Sequence, residues 1–346
     1  MARRERTTGL PRQPRQVRRV HTGRTFLGVP INDATIRLGV LGFAGALLIV
    51  VTGLLGWQWY SNTFVRPDKV VLSVGDRETS LRYYADRLYQ FSLANPTVTA
   101  TLSQQLLNKL QEEDVTVLLA RQEGIDLSED AITRAIGLDL AGADATEPLT
   151  GADYLQALKT RLDTLGYSES VYRRIYEASL ANDGLIEQFK TEIGDTAESV
   201  SYRVVAVETE DEANEVLDLV RGGDSIGTIA QARSLDVESR QNDGLVEAQP
   251  LELLPEAFIA AFEGKVAGDL LDPFEVEGVW FAIQVETIDP EGALDDAKKT
   301  DLAQKRLDEA IAEHQTLLTS QGQITRDLSA GDFEWAVDHL KTGSGS

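Results

Sequence analysis

The strongest constraint on the fold is an uncharged apolar run near the start of the chain, at residues 38–60: LGVLGFAGALLIVVTGLLGWQWY. A helix rises about 1.5 Å per residue, so this run is long enough to cross a hydrocarbon core of about 30 Å. Trp57, Trp59 and Tyr60 stand at its end, and such aromatic side chains favour the membrane interface. We therefore predict a transmembrane helix over residues 38–60.

The charges around this run predict its orientation. Residues 1–37 hold nine arginines against two acidic residues and have no apolar period, so we expect a disordered basic arm. The positive-inside rule places this arm in the cytoplasm and everything after the span outside. A cleaved signal peptide is the alternative, but the following QWYSNTFVRPDK offers no small-x-small cleavage site. We predict a single-pass protein of the cell membrane with extracytoplasmic domains.

The remaining charge bears on partners. The whole chain has a formal charge of −23, and the arm contributes +7, which leaves −30 on the rest. Such an acidic surface repels nucleic acid, so we expect no nucleic-acid partner. The arm itself could touch RNA or lipid headgroups, although a topology signal explains its arginines more simply.

Residues that support metal or thiol chemistry are scarce. The chain has no cysteine, which excludes disulfides, thiolate nucleophiles and Cys-based zinc sites. The three histidines, His21, His314 and His339, are far apart in sequence. We expect no metal site and no other cofactor.

The region after the span carries strand, turn and helix signals. Residues 69–91, KVVLSVGDRETSLRYYADRLYQF, predict a strand, a Gly-Asp turn and an amphipathic helix. Residues 102–136 predict a long helix and then a second one that starts at Asp126 or Ser128. Two more amphipathic helices follow, the second capped by Ser168. By themselves these features predict only a helical bundle.

The order of these elements resembles the N-terminal domain of the SurA/PrsA/trigger-factor-like chaperones, and residues 69–190 follow that pattern. The resemblance implies a helical chaperone domain over residues 66–195. It also implies that the helices of residues 289–340 pack back on this domain, with Trp335 in the shared core. A free coiled-coil segment is the alternative, but the charges of the C-terminal helix keep no heptad.

Residues 198–288 predict a smaller domain of strands and helices. Residues 200–207, VSYRVVAV, alternate as a half-buried strand does, and residues 209–212, TEDE, form a capping box for the next helix. Shorter helices, a loop and a closing strand follow. Asp289 and Pro290 then predict the start of the C-terminal helix.

One stretch of this domain, RSLDVESRQNDGLVEAQPLELLPEAF, resembles the peptide site of parvulin-type prolyl isomerases. The match consists of S-x-D, a Gly-Leu turn and L-P-x-x-F. The resemblance places Asp236 at the acidic position of the site. It assigns the proline-holding apolar wall to Leu245, Leu254 and Phe258.

Parvulin sites usually hold two histidines, and this chain has neither. By the same resemblance, the first histidine position falls at Arg203 and the second at Phe281. A permanent cation and a large aromatic ring disturb the hydrogen-bond network that the histidines maintain. We therefore expect prolyl isomerase activity to be weak or absent.

Each of these residues also has a structural interpretation. Asp236 is typical of a helix cap, and Arg203 of an ion pair with a nearby carboxylate in an acidic domain. Phe281 fits a core position, and the three wall residues can pack internally.

Together these features predict an α+β protein with an N-terminal transmembrane helix, a SurA N-like helical domain completed by the C-terminal helices, and a parvulin-like (FKBP-like) α/β domain. The resemblance implies a membrane-anchored extracytoplasmic chaperone or foldase that binds unfolded or nascent exported polypeptides. Two alternatives stay open: an active prolyl isomerase, and an adaptor subunit of a membrane complex that uses the parvulin fold as a docking surface. The sequence predicts no oligomeric state.

Overall fold

The computed structural model describes residues 25–26, 29–30, 47–57, 60, 65–94 and 99–340. The chain divides into two compact units, Met1–Pro67 and Asp68–Ser346. In the first unit, β1 (Thr25–Phe26) pairs antiparallel with β2 (Val29–Pro30), and α1 (residues 47–57) is helical.

The predicted disordered arm falls largely outside the described residues, and the predicted membrane helix falls partly outside them. Of the run 38–60, the structure describes α1 and residue 60. Among all the described residues, no helix is both long enough and apolar enough to cross a membrane. The structure thus does not confirm the transmembrane helix, which stays a prediction.

The second unit contains the remaining described elements. In chain order they are β3 (Val70–Val74), β4 (Arg77–Ser80), α2 (Leu81–Ala94), α3 (Ala100–Gln122), α4 (Glu129–Ala141), α5 (Gly151–Leu165), α6 (Glu169–Ile193), β5 (Thr196–Val207), α7 (Glu210–Arg221), α8 (Ile226–Arg233), α9 (Val237–Arg240), β6 (Leu245–Pro250), α10 (Glu256–Phe262), β7 (Phe274–Val276), β8 (Val279–Ala293), α11 (Asp296–Ser320), β9 (Ile324–Arg326) and α12 (Ala330–Leu340). This mixture of helices and sheets confirms the predicted α+β class.

Several helices begin at the capping residues that the sequence indicates. Ser128 accepts a hydrogen bond from the amide of Ala131 at the start of α4, and Ser168 caps α6 in the same way. At α7, the Thr209 hydroxyl accepts from the Glu212 amide, while the Glu212 carboxylate accepts from the Thr209 amide. These bonds satisfy amide donors that the first turn of a helix leaves without partners.

The helical domain is assembled from both ends of the second unit. Strand β9, near the C-terminus, pairs antiparallel with β3, which also pairs with β4. Helix α11 packs on α6 and α3, and α12 packs on α2. Leu307 of α11 and Trp335 of α12 lie in the same apolar core as Leu72 and Leu106.

A second sheet, in the order β6–β5–β8–β7, forms the sheet domain, and all of its neighbouring strands are antiparallel. Side chains of a strand alternate between two faces. Val205 and Val207 of β5 face the core formed with α7 and α8. Val200 and Val204 face the opposite core, which α10 covers.

The predicted start of the C-terminal helix at Asp289 and Pro290 is wrong. Strand β8 runs through both residues, and α11 begins later, where Asp295 accepts a hydrogen bond from the Lys298 amide. The end of β8 pairs with the start of β5, and the register shifts between Ala197 and Ser199, opposite this segment. Such an irregularity accommodates a proline, which has no amide hydrogen for the ladder.

Candidate functional site

An aromatic cluster lies on the α10 face of the sheet domain. Its members are Tyr202, Phe258, Phe262, Phe274 and Phe281. Phe258 stands at the centre, with ring centroids 4.8 Å from Phe274, 5.1 Å from Phe281 and 6.1 Å from Tyr202. Its contacts with Phe274 and Phe281 are edge-on, an arrangement that aromatic pairs favour.

Local sequence explains how these rings meet. In α10, Phe258 and Phe262 are four residues apart, so both point to the same side of the helix. Phe274 of β7 stands directly opposite Phe281 of β8 in the antiparallel pair. Tyr202 comes from β5, on the side that faces α10.

The members of the cluster differ in exposure. Tyr202, Phe258 and Phe262 are buried, whereas Phe274 and Phe281 are partly exposed. Partly exposed apolar residues from two other segments, Val246 and Leu254, pack against the same core. The sheet domain therefore presents an apolar surface with aromatic rings at its edge.

The structure brings four of the six predicted site residues to this face. Leu254, Phe258 and Phe281 belong to the core around the cluster. Asp236 caps α9 by accepting hydrogen bonds from the amides of Glu238 and Ser239, so its structural interpretation is confirmed. Burial raises the pKa of Tyr202 to about 12, and the negative charge of Asp236 adds to this rise.

Arg203 and Leu245 do not join this group. Arg203 donates to the Glu286 carboxylate at 2.7 Å and to the Asp243 carbonyl at 2.7 Å, as its ion-pair interpretation predicts. Its neighbours Tyr202 and Val204 face the cluster, so Arg203 faces the other side of the sheet. Leu245 pairs directly with Arg203 and shares that side.

The register corrects both assignments by one residue. Val246 pairs with Tyr202 and packs on the cluster side, where Leu245 was expected. On β5, Tyr202 and Val204 are the side chains that reach the cluster, where Arg203 was expected. A shift of one residue moves a strand side chain to the opposite face.

Tyr202 is a member of the cluster that the sequence did not predict. It adds a hydroxyl group to a cluster that is otherwise made of phenylalanine rings, and it is 5% exposed. The Ser239 hydroxyl, three residues after Asp236, is also buried. It has no hydrogen-bond partner among the described residues. The alternation of VSYRVVAV was the available signal, because it places Tyr202 and Val204 together on one face.

Chemically, this arrangement suits binding better than bond cleavage. It combines an apolar aromatic surface with one phenol and one carboxylate, and it has no nucleophile paired with a base. In the part of the chain that the structure describes, no group of three or more His, Cys, Asp or Glu residues is placed to hold a metal ion. The histidines described, His314 and His339, lie on α11 and α12 of the helical domain.

Comparison with known proteins agrees with this architecture. No protein-family profile matches the chain. Chaperone SurA of Yersinia pestis is 24% identical over 328 residues, which cover 85% of this chain and 73% of the relative. The chain resembles the SurA/PrsA-like parvulin chaperones. Chaperone SurA of Sodalis glossinidius is also 24% identical, over 53% of this chain and 47% of the relative.

Solved structures of SurA/PrsA-like proteins match more loosely. The peptidylprolyl isomerase PrsA of Bacillus anthracis is 15% identical and covers 64% of this chain and 98% of its own, with a TM-score of 0.44. At that level the structural match adds nothing to the sequence match with SurA.

Proposed function

We propose that this protein is a membrane-anchored chaperone that holds apolar segments of unfolded exported polypeptides against the aromatic cluster, with weak or absent prolyl isomerase activity. The observation that carries the proposal is the packing of Phe281. Its ring stands at the second histidine position of the SurA/PrsA-like resemblance, 5.1 Å from Phe258 and 5.8 Å from Phe274. The position supports an apolar contact surface and not a polar catalytic network.

The proposed weakness of catalysis follows from the demands of the reaction. Rotation about a peptide bond faces a barrier of roughly 18–20 kcal/mol. Lowering it requires a pocket that desolvates the amide and presents oriented polar groups to its changing dipole. The cluster supplies the apolar walls that such a pocket needs. The polar groups that it offers the amide are the Tyr202 hydroxyl and the Asp236 carboxylate, in place of the two histidines of a parvulin site.

Binding can be tested with a matched pair of charged variants. Phe281→Glu places a charge on the apolar face, and Leu155→Glu makes a similar change at an exposed leucine of α5 in the helical domain. We expect wild type and Leu155→Glu to suppress aggregation of a chemically denatured reporter protein, and Phe281→Glu to lose this effect while keeping the wild-type circular dichroism spectrum. Equal protection by all three proteins refutes the proposed binding face.

A residual isomerase is the second candidate, and the buried Tyr202 hydroxyl, whose pKa burial and the charge of Asp236 raise, favours it. Exchange of an Ala-Pro peptide between cis and trans, followed by NMR, distinguishes the two. Exchange above the uncatalysed rate that is lost in both Tyr202→Phe and Asp236→Asn identifies an active foldase. Asparagine also caps helices, so Asp236→Asn removes the charge without removing the cap.

The membrane anchor is part of the proposal and has its own support. The apolar side chains of α1 are exposed, for example Leu48 at 68% and Ile49 at 73%, and soluble surfaces rarely leave such a continuous apolar set uncovered. The arginines of residues 1–37 then favour a cytoplasmic N-terminus. We expect the full chain to resist alkaline extraction from membranes, with the sheet domain accessible to protease only from the extracytoplasmic side. Release into the alkaline supernatant refutes the anchor.

A further inference from the structure

The segment that carries most of the aromatic cluster is strongly acidic. Residues 241–277 hold nine carboxylates and a single basic residue, Lys265. One of the nine, Glu252, is paired with Arg306 of α11. Most of the negative charge of this segment therefore has no such ion pair among the described residues.

Three carboxylates, which we call the acidic rim, belong to the segments that carry the cluster or adjoin it in the fold. They are Asp236, Glu256 and Asp272. Asp236 caps α9, which packs against the strand that carries Tyr202. Glu256 begins the helix that carries Phe258, and Asp272 stands two residues before Phe274. Within the part of the chain that the structure describes, none of the three has a basic group within 4.0 Å.

An apolar surface bordered by unpaired carboxylates selects its occupant by charge. A cationic side chain next to an apolar residue gains attraction from the rim, while an acidic one is repelled. These interactions reach over a Debye length of about 8 Å at physiological ionic strength. A lysine or arginine can also lie over the partly exposed rings of Phe274 and Phe281.

We infer that the cluster and its acidic rim bind extended polypeptide segments in which an apolar or prolyl residue has lysine or arginine beside it. This inference rests on the proposed function and adds the substrate class. The rim supplies charge complementarity, and the cluster supplies the apolar contact.

Two fluorescein-labelled peptides test the inference with the full-length protein in detergent. One is Gly-Ser-Lys-Phe-Pro-Lys-Ser-Gly, and the other has glutamate in place of both lysines. At low ionic strength we expect the lysine peptide to bind about tenfold more tightly, and the difference to shrink below about threefold in high salt. Fluorescence anisotropy measures both affinities.

A matched pair of double variants locates the effect. Glu256→Gln/Asp272→Asn removes two rim charges, and Glu147→Gln/Asp163→Asn removes two exposed charges from the helical domain. The preference for lysine should fall to about twofold in the rim variant, since one of the three rim charges remains, and persist in the control. An unchanged preference in the rim variant overturns the inference.

The remaining outcomes separate this inference from the proposed function. If both peptides bind equally well, the face binds polypeptide but the inferred charge selection is wrong. If neither peptide binds at any ionic strength, the proposed binding face fails, and the inference fails with it.

Discussion

The ring of Phe281 meets the ring of Phe258 edge-on, with 5.1 Å between centroids and 62° between ring planes. Phe258 is 7% exposed, whereas Phe281 keeps part of its surface open. The two rings therefore differ in burial: Phe258 packs inside the domain, and Phe281 is the ring that the proposed binding face exposes.

This difference predicts unequal effects of truncation. Phe258→Ala should lower the free energy of unfolding of the sheet domain by about 3–4 kcal/mol, because it leaves a cavity at the centre of the cluster. Phe281→Ala should cost about half as much, since less of its surface is buried. Urea titrations followed by the fluorescence of Trp280 measure both, and a larger cost at Phe281 contradicts the assignment. Because Phe258→Ala is expected to destabilise the sheet domain, loss of polypeptide binding in this variant does not by itself show that Phe258 contacts the polypeptide.

The pH dependence of Tyr202 gives a second prediction. Burial and the nearby charge of Asp236 raise its pKa to about 12, above the ordinary value of 10.0. The pKa of Tyr202 is higher in the folded protein than in the unfolded chain. The free energy of unfolding is therefore unaffected below pH 10 and falls as the pH rises towards 12. We expect wild type to lose stability over this range relative to Tyr202→Phe.

The difference in tyrosinate absorbance between wild type and Tyr202→Phe isolates this titration. In the Asp236→Asn background the midpoint should move down, because a negative charge that opposes ionisation is gone. Tyr84, whose pKa is raised by burial, provides an internal comparison that Asp236→Asn should leave unchanged. A midpoint that does not respond to Asp236→Asn places the two side chains apart.

Sequence reasoning succeeded where the cause is local. The capping box of Thr209 and Glu212 and the cap at Ser168 depend on residues within one turn. Leu254 and Phe258 lie together in the core around the cluster because a single short motif, L-P-x-x-F, begins the helix that carries the second of them. Their role in binding stays a prediction.

It failed where the cause is distant in the chain. Whether Arg203 or Tyr202 faces the cluster depends on which side of the sheet α10 covers, and the two sides of β5 are both largely apolar. The local helix signal at Pro290 is overridden because this segment pairs with β5, about ninety residues earlier. Neither the face nor the pairing is encoded within a short window of sequence.

A third prediction concerns Asp114, which is 2% exposed in the helical domain. Its carboxylate accepts from Arg77 at 2.7 Å and from Arg174 at 2.7 Å. Asp114→Ala removes the carboxylate partner of Arg174, while Arg77 keeps its pair with Glu177. The free energy of unfolding should therefore fall by about 3 kcal/mol. Thermal and urea unfolding of the helical domain measure the loss. Asp163→Asn, an exposed control, should change stability by less than about 0.5 kcal/mol, and an equally small effect at Asp114 contradicts the assigned role.

The last prediction concerns the ion pair that joins the two domains. Glu252 lies in a 3₁₀ turn beside the cluster and accepts two hydrogen bonds of 3.0 Å from Arg306 of α11, while the Lys305 ammonium donates to its carbonyl. The hydrogen bond from Arg306 lowers the pKa of Glu252 below 4.5, although burial opposes the change. The contribution of the pair is therefore complete above pH 4.5 and is lost as the pH falls through the lowered pKa.

Because both side chains are more than a third exposed, removing the pair should change global stability by less than about 1 kcal/mol. Removing the pair should act locally. Arg306→Ala should speed amide hydrogen exchange at residues 251–254 at neutral pH, because the turn loses its ion pair with α11. Arg221→Ala, which breaks the Arg221–Asp218 pair on α7, is the matched control and should leave that exchange unchanged. As the pH falls and Glu252 becomes protonated, the exchange rates of residues 251–254 in wild type and Arg306→Ala should become equal, after correction for the intrinsic exchange rate. Identical protection at neutral pH shows that the pair does not hold the turn in place.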